Sequence, residues 1–171
     1  MKKITGIMAC DPDGVIALNN KLPWHYPQEI EFYRQSIANH CVILGYKTFI
    51  EMTAEFTEHH YTVVFTSKPQ QSRQQNVHYV SGLEEFKNLR LPTDKKCFMI
   101  GGAQLAKYFL QHNLLDDFIL TIINNRYAGD TFFPLELITN WPRKLLQQNA
   151  DFAIYHYFNP TSESHSQVDW I

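Results

Sequence analysis

Glu29 stands in "PWHYPQEIEFYRQ" (Pro23 to Gln35), two residues past Pro27, which suits the first position of a helix. An acid in a helix's first turn interacts favourably with the helix dipole, and that alone can account for it. Its neighbours open a second reading. Tyr33 lies four residues on, on the same face, and Trp24 and Ile30 lie close by in the chain. If these residues wall the carboxyl group into an apolar cleft, desolvation raises its pKa toward the range where it can hold a nitrogen heterocycle and support its protonation. Thr121, the polar residue in "ILTII", is either a satisfied core hydroxyl or a partner for that acid.

Two strand ends offer chemistry of another kind. Gly45 closes the apolar run "CVILG", and Lys47 and Thr48 open a helix whose unpaired N–H groups would favour a phosphate, although simple capping by Thr48 needs no ligand. Gly101 and Gly102 end "KCFMI" and precede "AQLAKYFL". Such a pair lets backbone approach a cofactor closely, or it is only a turn, and it is not a G-x-G-x-x-G fingerprint.

The elements that must position these residues alternate between strand and helix. "KITGIMA" (Lys3 to Ala9) is a strand ended by the turn "DPDG"; Pro27 to Ala38 is a helix with Ile30, Tyr33, Arg34 and Ile37 on one stripe. Cys41 to Gly45 reads as a strand buried on both faces, and "TFIE" (Thr48 to Glu51) matches a capping box that starts a short helix. Tyr61 to Ser67, Asn76 to Val80 and Lys96 to Ile100 are further strands, with a helix at Leu83 to Asn88 and another after Gly102. Asp117 to Ile123 is another buried strand, and Arg143 to Gln148 with Phe152 to Phe158 form an antiparallel hairpin at the sheet edge. The pattern is α/β in one domain over residues 1–160, followed by a loosely held polar tail at 161–171. In such a sheet ligands bind at the carboxyl ends of strands, where the special residues fall.

A net charge of -2 gives no basic excess for nucleic acid, and no apolar run approaches the roughly 20 residues of a membrane span. The N-terminus lacks the apolar core of a signal peptide, so a cytoplasmic protein is expected, with no nucleic-acid or membrane partner and acting as a monomer. Cys10, Cys41 and Cys97 are odd in number and widely spaced, which favours buried thiols over disulfides. Only His59 and His60 are close together among eight histidines, so no metal is expected.

Taken in order, "IMA" (Ile7 to Ala9), "GVIALNNKLPW" (Gly14 to Trp24), Glu29, "VILGYKTF" (Val42 to Phe49), Thr66 and Ser67, "MIGGAQL" (Met99 to Leu105), Leu120 and Thr121, and "GDTFFP" (Gly129 to Pro134) resemble dihydrofolate reductase from Ile4 to about Phe158. The resemblance implies an eight-stranded, mainly parallel sheet with an antiparallel C-terminal hairpin and about four flanking helices. It implies NADPH-dependent reduction of 7,8-dihydrofolate to tetrahydrofolate by hydride transfer to C6. In such enzymes the acid on this helix, Glu29, grips the pterin and supports protonation at N5, with Trp24 in the catalytic set and Thr121 bonded to the acid. Carried over position by position, substrate contacts fall on Ile7, Met8, Ala9, Ile30, Tyr33, Met52, His60 and Ile100. Cofactor contacts fall on Ile16, Asn20, Gly45, Tyr46, Lys47, Thr48, Thr66, Ser67, Lys68, Gly101, Gly102, Ala103, Gln104, Leu105 and Thr131. A cis peptide between Gly101 and Gly102 and a mobile loop from Asp11 to Trp24 are also implied.

Four positions depart from the family's pattern. Tyr46 replaces the arginine that grips the cofactor's 2'-phosphate, leaving Lys47, Ser67 or Lys68 for that contact. The arginine that clamps the substrate's α-carboxylate aligns with His59, His60 or Tyr61, and a histidine there would act through its protonated form. An aromatic position near the nicotinamide is Ala106, a gap for Tyr108 or Met8 to fill, and a loop glycine is Ala17. Two alternatives follow: an NAD(P)H-dependent reductase of a tailless pterin or pyrimidine, which the absent arginine would suit, and a nucleotide-binding protein without catalysis, against which Glu29, Trp24 and Thr121 speak.

Overall fold

The computed structural model describes residues 2–68, 70–72 and 74–162; the tail from Glu163 onward lies outside the described residues. In chain order the elements are β1 (Ile4–Cys10), β2 (Val15–Ala17), α1 (Pro27–Ile37), β3 (Cys41–Gly45), α2 (Tyr46–Phe49), α3 (Ala54–His59), β4 (Tyr61–Phe65), β5 (Val77–Val80), α4 (Leu83–Asn88), β6 (Cys97–Gly101), α5 (Ala103–Gln111), β7 (Asp117–Ile123), β8 (Thr131–Phe132), β9 (Arg143–Gln148) and β10 (Phe152–Phe158). No helix among the described residues is long and apolar enough to cross a membrane.

Eight strands form one sheet in the order β5-β4-β3-β6-β1-β7-β10-β9, parallel from β5 to β7 and antiparallel from β7 to β9. The expected eight-stranded, mainly parallel α/β sheet is therefore present. The continuous apolar run of β3 serves two cores at once, because successive side chains point to opposite faces. Cys41 and Ile43 join Phe86 of α4 and Leu105 and Phe109 of α5 on one side. Val42 and Leu44 join Ile37 of α1, Val64 and Phe98 on the other. Cys10, Cys41 and Cys97 are buried free thiols, as their spacing suggested.

Short elements differ from expectation. β2 and β8 pair in a separate small sheet inside segments read as loop, since strands of three and two residues are too short to show alternation. The segment from Asp11 to Trp24 is also tied by Asp11, whose carboxylate accepts from the N–H groups of Asp13, Val15 and Tyr127 at 2.8–2.9 Å. α3 makes a fifth helix; Thr53 caps it by accepting from Phe56 N at 3.2 Å, and one turn with few apolar residues carries no periodicity. α2 begins at Tyr46, not at Thr48, with Gly45 at its N-cap and no side-chain cap, so the Thr48 hydroxyl is not used as a capping box. Thr161 and Ser162, placed in the loose tail, are held through Asn159 and Asp116.

Candidate active-site cleft

The carboxyl ends of β3, β4, β5 and β6 open into a cleft of about 1760 Å³ that also runs along α1, α3 and the start of α5. A pocket for one drug-sized molecule occupies roughly 300–1,000 Å³, so this cleft has room for two ligands side by side. Of the sequence-nominated residues, it gathers Ile7, Met8 and Ala9 of β1, Glu29, Ile30 and Tyr33 of α1, Met52, His60, Ile100 and Thr121, together with Ile16, Asn20, Gly45 to Thr48, Thr66, Ser67, Gly102 to Leu105 and Thr131. Gly101, Lys68 and Trp24 do not line it.

Glu29 enters the cleft because Pro27 starts α1 and places the acid in its first turn, on the Tyr33 face. It is 8 % exposed, and its side chain has no hydrogen-bond or ion-pair partner among the described residues. Burial holds its pKa above the ordinary carboxylate value. Burial also raises the Tyr33 phenol, with the Glu29 charge adding to it. Thr121, in register between Ala9 of β1 and Ile154 of β10, faces the same space. The expected bond between Thr121 and Glu29 is not made: the two approach from a strand and a helix and both leave their polar atoms open to the cleft.

Trp24 stands behind the wall rather than in it. It joins Ile123, Phe152 and Ile154 in a buried cluster, against which Ala9 and Phe32 of the cleft pack. Its ring lies 5.4 Å from that of Tyr127, and its Nε1 is buried without a partner among the described residues.

At the other end, backbone provides the polar groups. The Gly101–Gly102 peptide is cis, as expected, and Gly101 has φ +122, a conformation that favours glycine. A Cβ on Gly102 would stand 3.2 Å from Thr48 Oγ1, so a side chain there would require Thr48 to give by a few tenths of an ångström. α5 follows with no side-chain cap and no acid in its first turn, which leaves its first N–H groups available to an anion. With Lys47, Thr66 and Ser67 beside it, this end fits a phosphorylated nucleotide. Lys68 does not line the cleft; the residue is exposed, and its N–H donates to Thr66 Oγ1 at 3.3 Å. Ala106 is fully buried on the core-facing side of α5, while Tyr108 and Met8 line the cleft.

His60 is a different group from the one its position suggested. It is buried, packs its ring 4.4 Å from that of Phe56, and donates from Nδ1 to the His40 carbonyl at 3.1 Å. Burial lowers its pKa, outweighing that hydrogen bond, which works against a cationic clamp at this position. Arg34, Phe32 and Phe56 line the cleft without having been nominated, together with His59, one of the positions aligned with the absent arginine. Arg34 carried a signal in the sequence, since it falls on the inward stripe of α1.

The model of the dihydrofolate reductase family matches residues 3–155. The chain is 32% identical over 138 residues to dihydrofolate reductase of Bacillus subtilis (strain 168), covering 81% of this chain and 79% of that one. It is 27% identical over 132 residues to that of Lactococcus lactis subsp. lactis (strain IL1403), covering 77% of each. A solved dihydrofolate reductase from Enterococcus faecalis, complexed with NADP(H) and RAB-propyl, shares the fold with a TM-score of 0.75 at 24% identity, over 92% of this chain and 96% of that one.

Proposed function

The chain belongs to the dihydrofolate reductase family, and from that premise we propose that Glu29 is the acid through which it carries out NADPH-dependent reduction of 7,8-dihydrofolate to 5,6,7,8-tetrahydrofolate. The observation that carries this is the state of Glu29: a buried carboxyl group without a partner among the described residues, lining a cleft with room for two ligands. Such a group is matched to a ring that brings its own N–H donors.

When bound, NADPH supplies the hydride added at C6. The residues that would hold it are Gly45, Tyr46, Lys47, Thr48, Thr66, Ser67, the Gly102 to Leu105 turn, Ile16, Asn20 and Thr131. Lys47 is the cation among them suited to a 2'-phosphate in place of the missing arginine. The pterin is sandwiched by Ile7, Met8, Ala9, Ile30, Tyr33, Met52 and Ile100, which keep water from the reacting face. Glu29 orients the ring through its nitrogen edge and offsets the positive charge that develops as N5 is protonated. Thr121 fixes the ring edge next to it, and Trp24 supports the wall from behind. The free, buried cysteines fit a reducing compartment, so the cytoplasm is the proposed location.

The test is turnover of dihydrofolate against the tailless dihydrobiopterin, each with NADPH and NADH. Preference for dihydrofolate with NADPH is expected. Equal kcat/KM for the two pterins would move the reading to a reductase of tailless pterins.

A further inference from the structure

Away from the cleft, Tyr61 of β4, Cys41 of β3, Cys97 of β6 and Ile4 of β1 form one row across neighbouring parallel strands, with Cys41 directly opposite Cys97. Such strands lie roughly 4.8 Å apart. A disulfide asks for Cα atoms about 4.4–6.8 Å apart, so the spacing suits one. The side-chain direction suits it too, because Cys41 and Cys97 enter the same core, with Phe86 of α4 and Phe109 of α5, whereas Val42 and Phe98 enter the other. Both are free thiols, and neither lines the cleft. Each is the first residue of its strand, directly after half-buried His40 and exposed Lys96, where fraying admits a small reagent. Cys10 ends β1, six residues beyond Ile4 and so about 20 Å along the strand from this row.

The two thiols are not equivalent. The hydrogen bond with the Cys41 thiol, working against burial and with the charge of Lys2, holds the Cys97 thiol below its ordinary value. For Cys41 the same bond works upward, and burial adds to it. Cys10 is pushed up to about 12 by burial and then by Asp11. Since the thiolate is the nucleophile, Cys97 is the group set to react and Cys41 the one set to resolve the product.

We propose that Cys41 and Cys97 are a redox modification site, which a hydroperoxide converts into a reversible disulfide stapling β3 to β6. The Cys97 thiolate attacks one peroxide oxygen, the O–O bond breaks, and the departing hydroxide takes up a proton to leave as water, with a sulfenic acid on Cys97. The Cys41 sulfur then attacks that sulfur; the S–S bond forms, the S–O bond breaks, and hydroxide leaves with the Cys41 proton as a second water. Two thiols and one hydrogen peroxide thus give one disulfide and two waters, the sulfurs losing the two electrons that the peroxide gains. The link closes a loop that carries α2, α3, β4, β5 and α4, so the outer part of the sheet is tied to its centre. Closing a long loop restricts the unfolded chain, and the oxidised protein is the harder one to unfold.

The experiment treats the folded full-length chain with hydrogen peroxide, then counts thiols in denaturant and maps peptides. Of the three thiols one should remain, Cys10, with the Cys41 and Cys97 peptides joined and dithiothreitol restoring all three. Cys97 should be lost about tenfold or more faster than Cys10. In Cys41→Ser, which keeps an O–H donor beside Cys97, the reaction should stop at a sulfenic acid on Cys97 that dimedone captures, and in Cys97→Ser the Cys41 thiol should survive. The urea midpoint of the linked wild type should rise by on the order of 1 M and return on reduction, while neither single variant shows a rise. Three thiols surviving in the treated wild type, a link that involves Cys10 or a second molecule, or loss of Cys41 in Cys97→Ser overturns the site. A linked protein whose midpoint stays where it was overturns the staple.

Discussion

Glu29 and Asp117 are both carboxyl groups taken out of water, one 8 % and the other 2 % exposed, and the protein treats them in opposite ways. Asp117, at the start of β7, accepts from Thr5 Oγ1 at 2.5 Å, His156 Nε2 at 2.8 Å and Lys3 Nζ at 3.1 Å. Burial alone would raise its pKa, but these donors together outweigh burial and hold it below the ordinary value. Glu29 has burial without donors, and its pKa goes up. Thr121 lies four residues beyond Asp117 on the same strand, so one strand carries a satisfied acid's anchor at one end and an open polar group in the cleft at the other. A satisfied buried acid is a fastener. An unsatisfied one is a place prepared for something the protein does not itself contain.

Replacing each acid by its amide should separate these roles. Glu29→Gln should lower the rate of hydride transfer by about a hundredfold or more, because the amide can still bond the ring but cannot offset charge at N5. NADPH affinity and the melting temperature at neutral pH should not fall. Single-turnover kinetics and direct cofactor titration measure this, and wild-type turnover at neutral pH would remove Glu29 from the chemistry.

Asp117→Asn should do the reverse. Three donors lose a charged acceptor, which should cost about 2 kcal/mol in unfolding free energy, less than a fully enclosed pair because Lys3 is half exposed. Turnover measured below the melting transition should stay at the wild-type value. A folded Asp117→Asn protein with impaired kcat would erase the contrast. Thr5→Val, which deletes one of the donors and keeps the shape, should cost about 1 kcal/mol by denaturant unfolding.

The contrast was only half legible in the sequence. Glu29 stood out through Pro27 before it and Tyr33 after it, because those signals are local. The same is true of β3, β7 and the terminal hairpin, whose boundaries follow from continuous or alternating apolar runs. Asp117 carried no signal, since Thr5 and His156 come from strands 112 and 39 residues away. Nor did the lowered pKa of His60, which depends on burial that only the assembled chain creates and which outweighs the hydrogen bond to a carbonyl 20 residues back. Trp24 and Thr121 were named by resemblance, but Trp24's place behind the wall and the missing Thr121–Glu29 bond depend on how helix and sheet are set against each other. The short elements β2, β8 and α3 are held by tertiary contacts rather than by pattern.

The smallest expected effect is also the most direct reading of the two environments, because it concerns stability against pH rather than activity. A carboxyl group whose native pKa is raised binds its proton more tightly in the folded state, so its contribution is fully present below the unfolded value, near 4.3 for a glutamate, and is lost as pH rises through the native value. At pH 7 Glu29 is therefore a cost, and Glu29→Gln should be more stable than the wild type there, by on the order of 0.5 kcal/mol. That advantage should vanish as pH falls toward 4, where the wild-type acid is protonated and differs little from the amide. Asp117 has the opposite sign. Its contribution is present above the unfolded value, near 3.9, and is lost as pH falls through its lowered native value, so the deficit of Asp117→Asn should hold from pH 7 down to about 5 and close only in stronger acid. Denaturant unfolding of the three proteins between pH 3 and 8 should give two difference curves of opposite sign. Curves of the same sign would mean that Glu29 is held by donors after all, and is a fastener like Asp117.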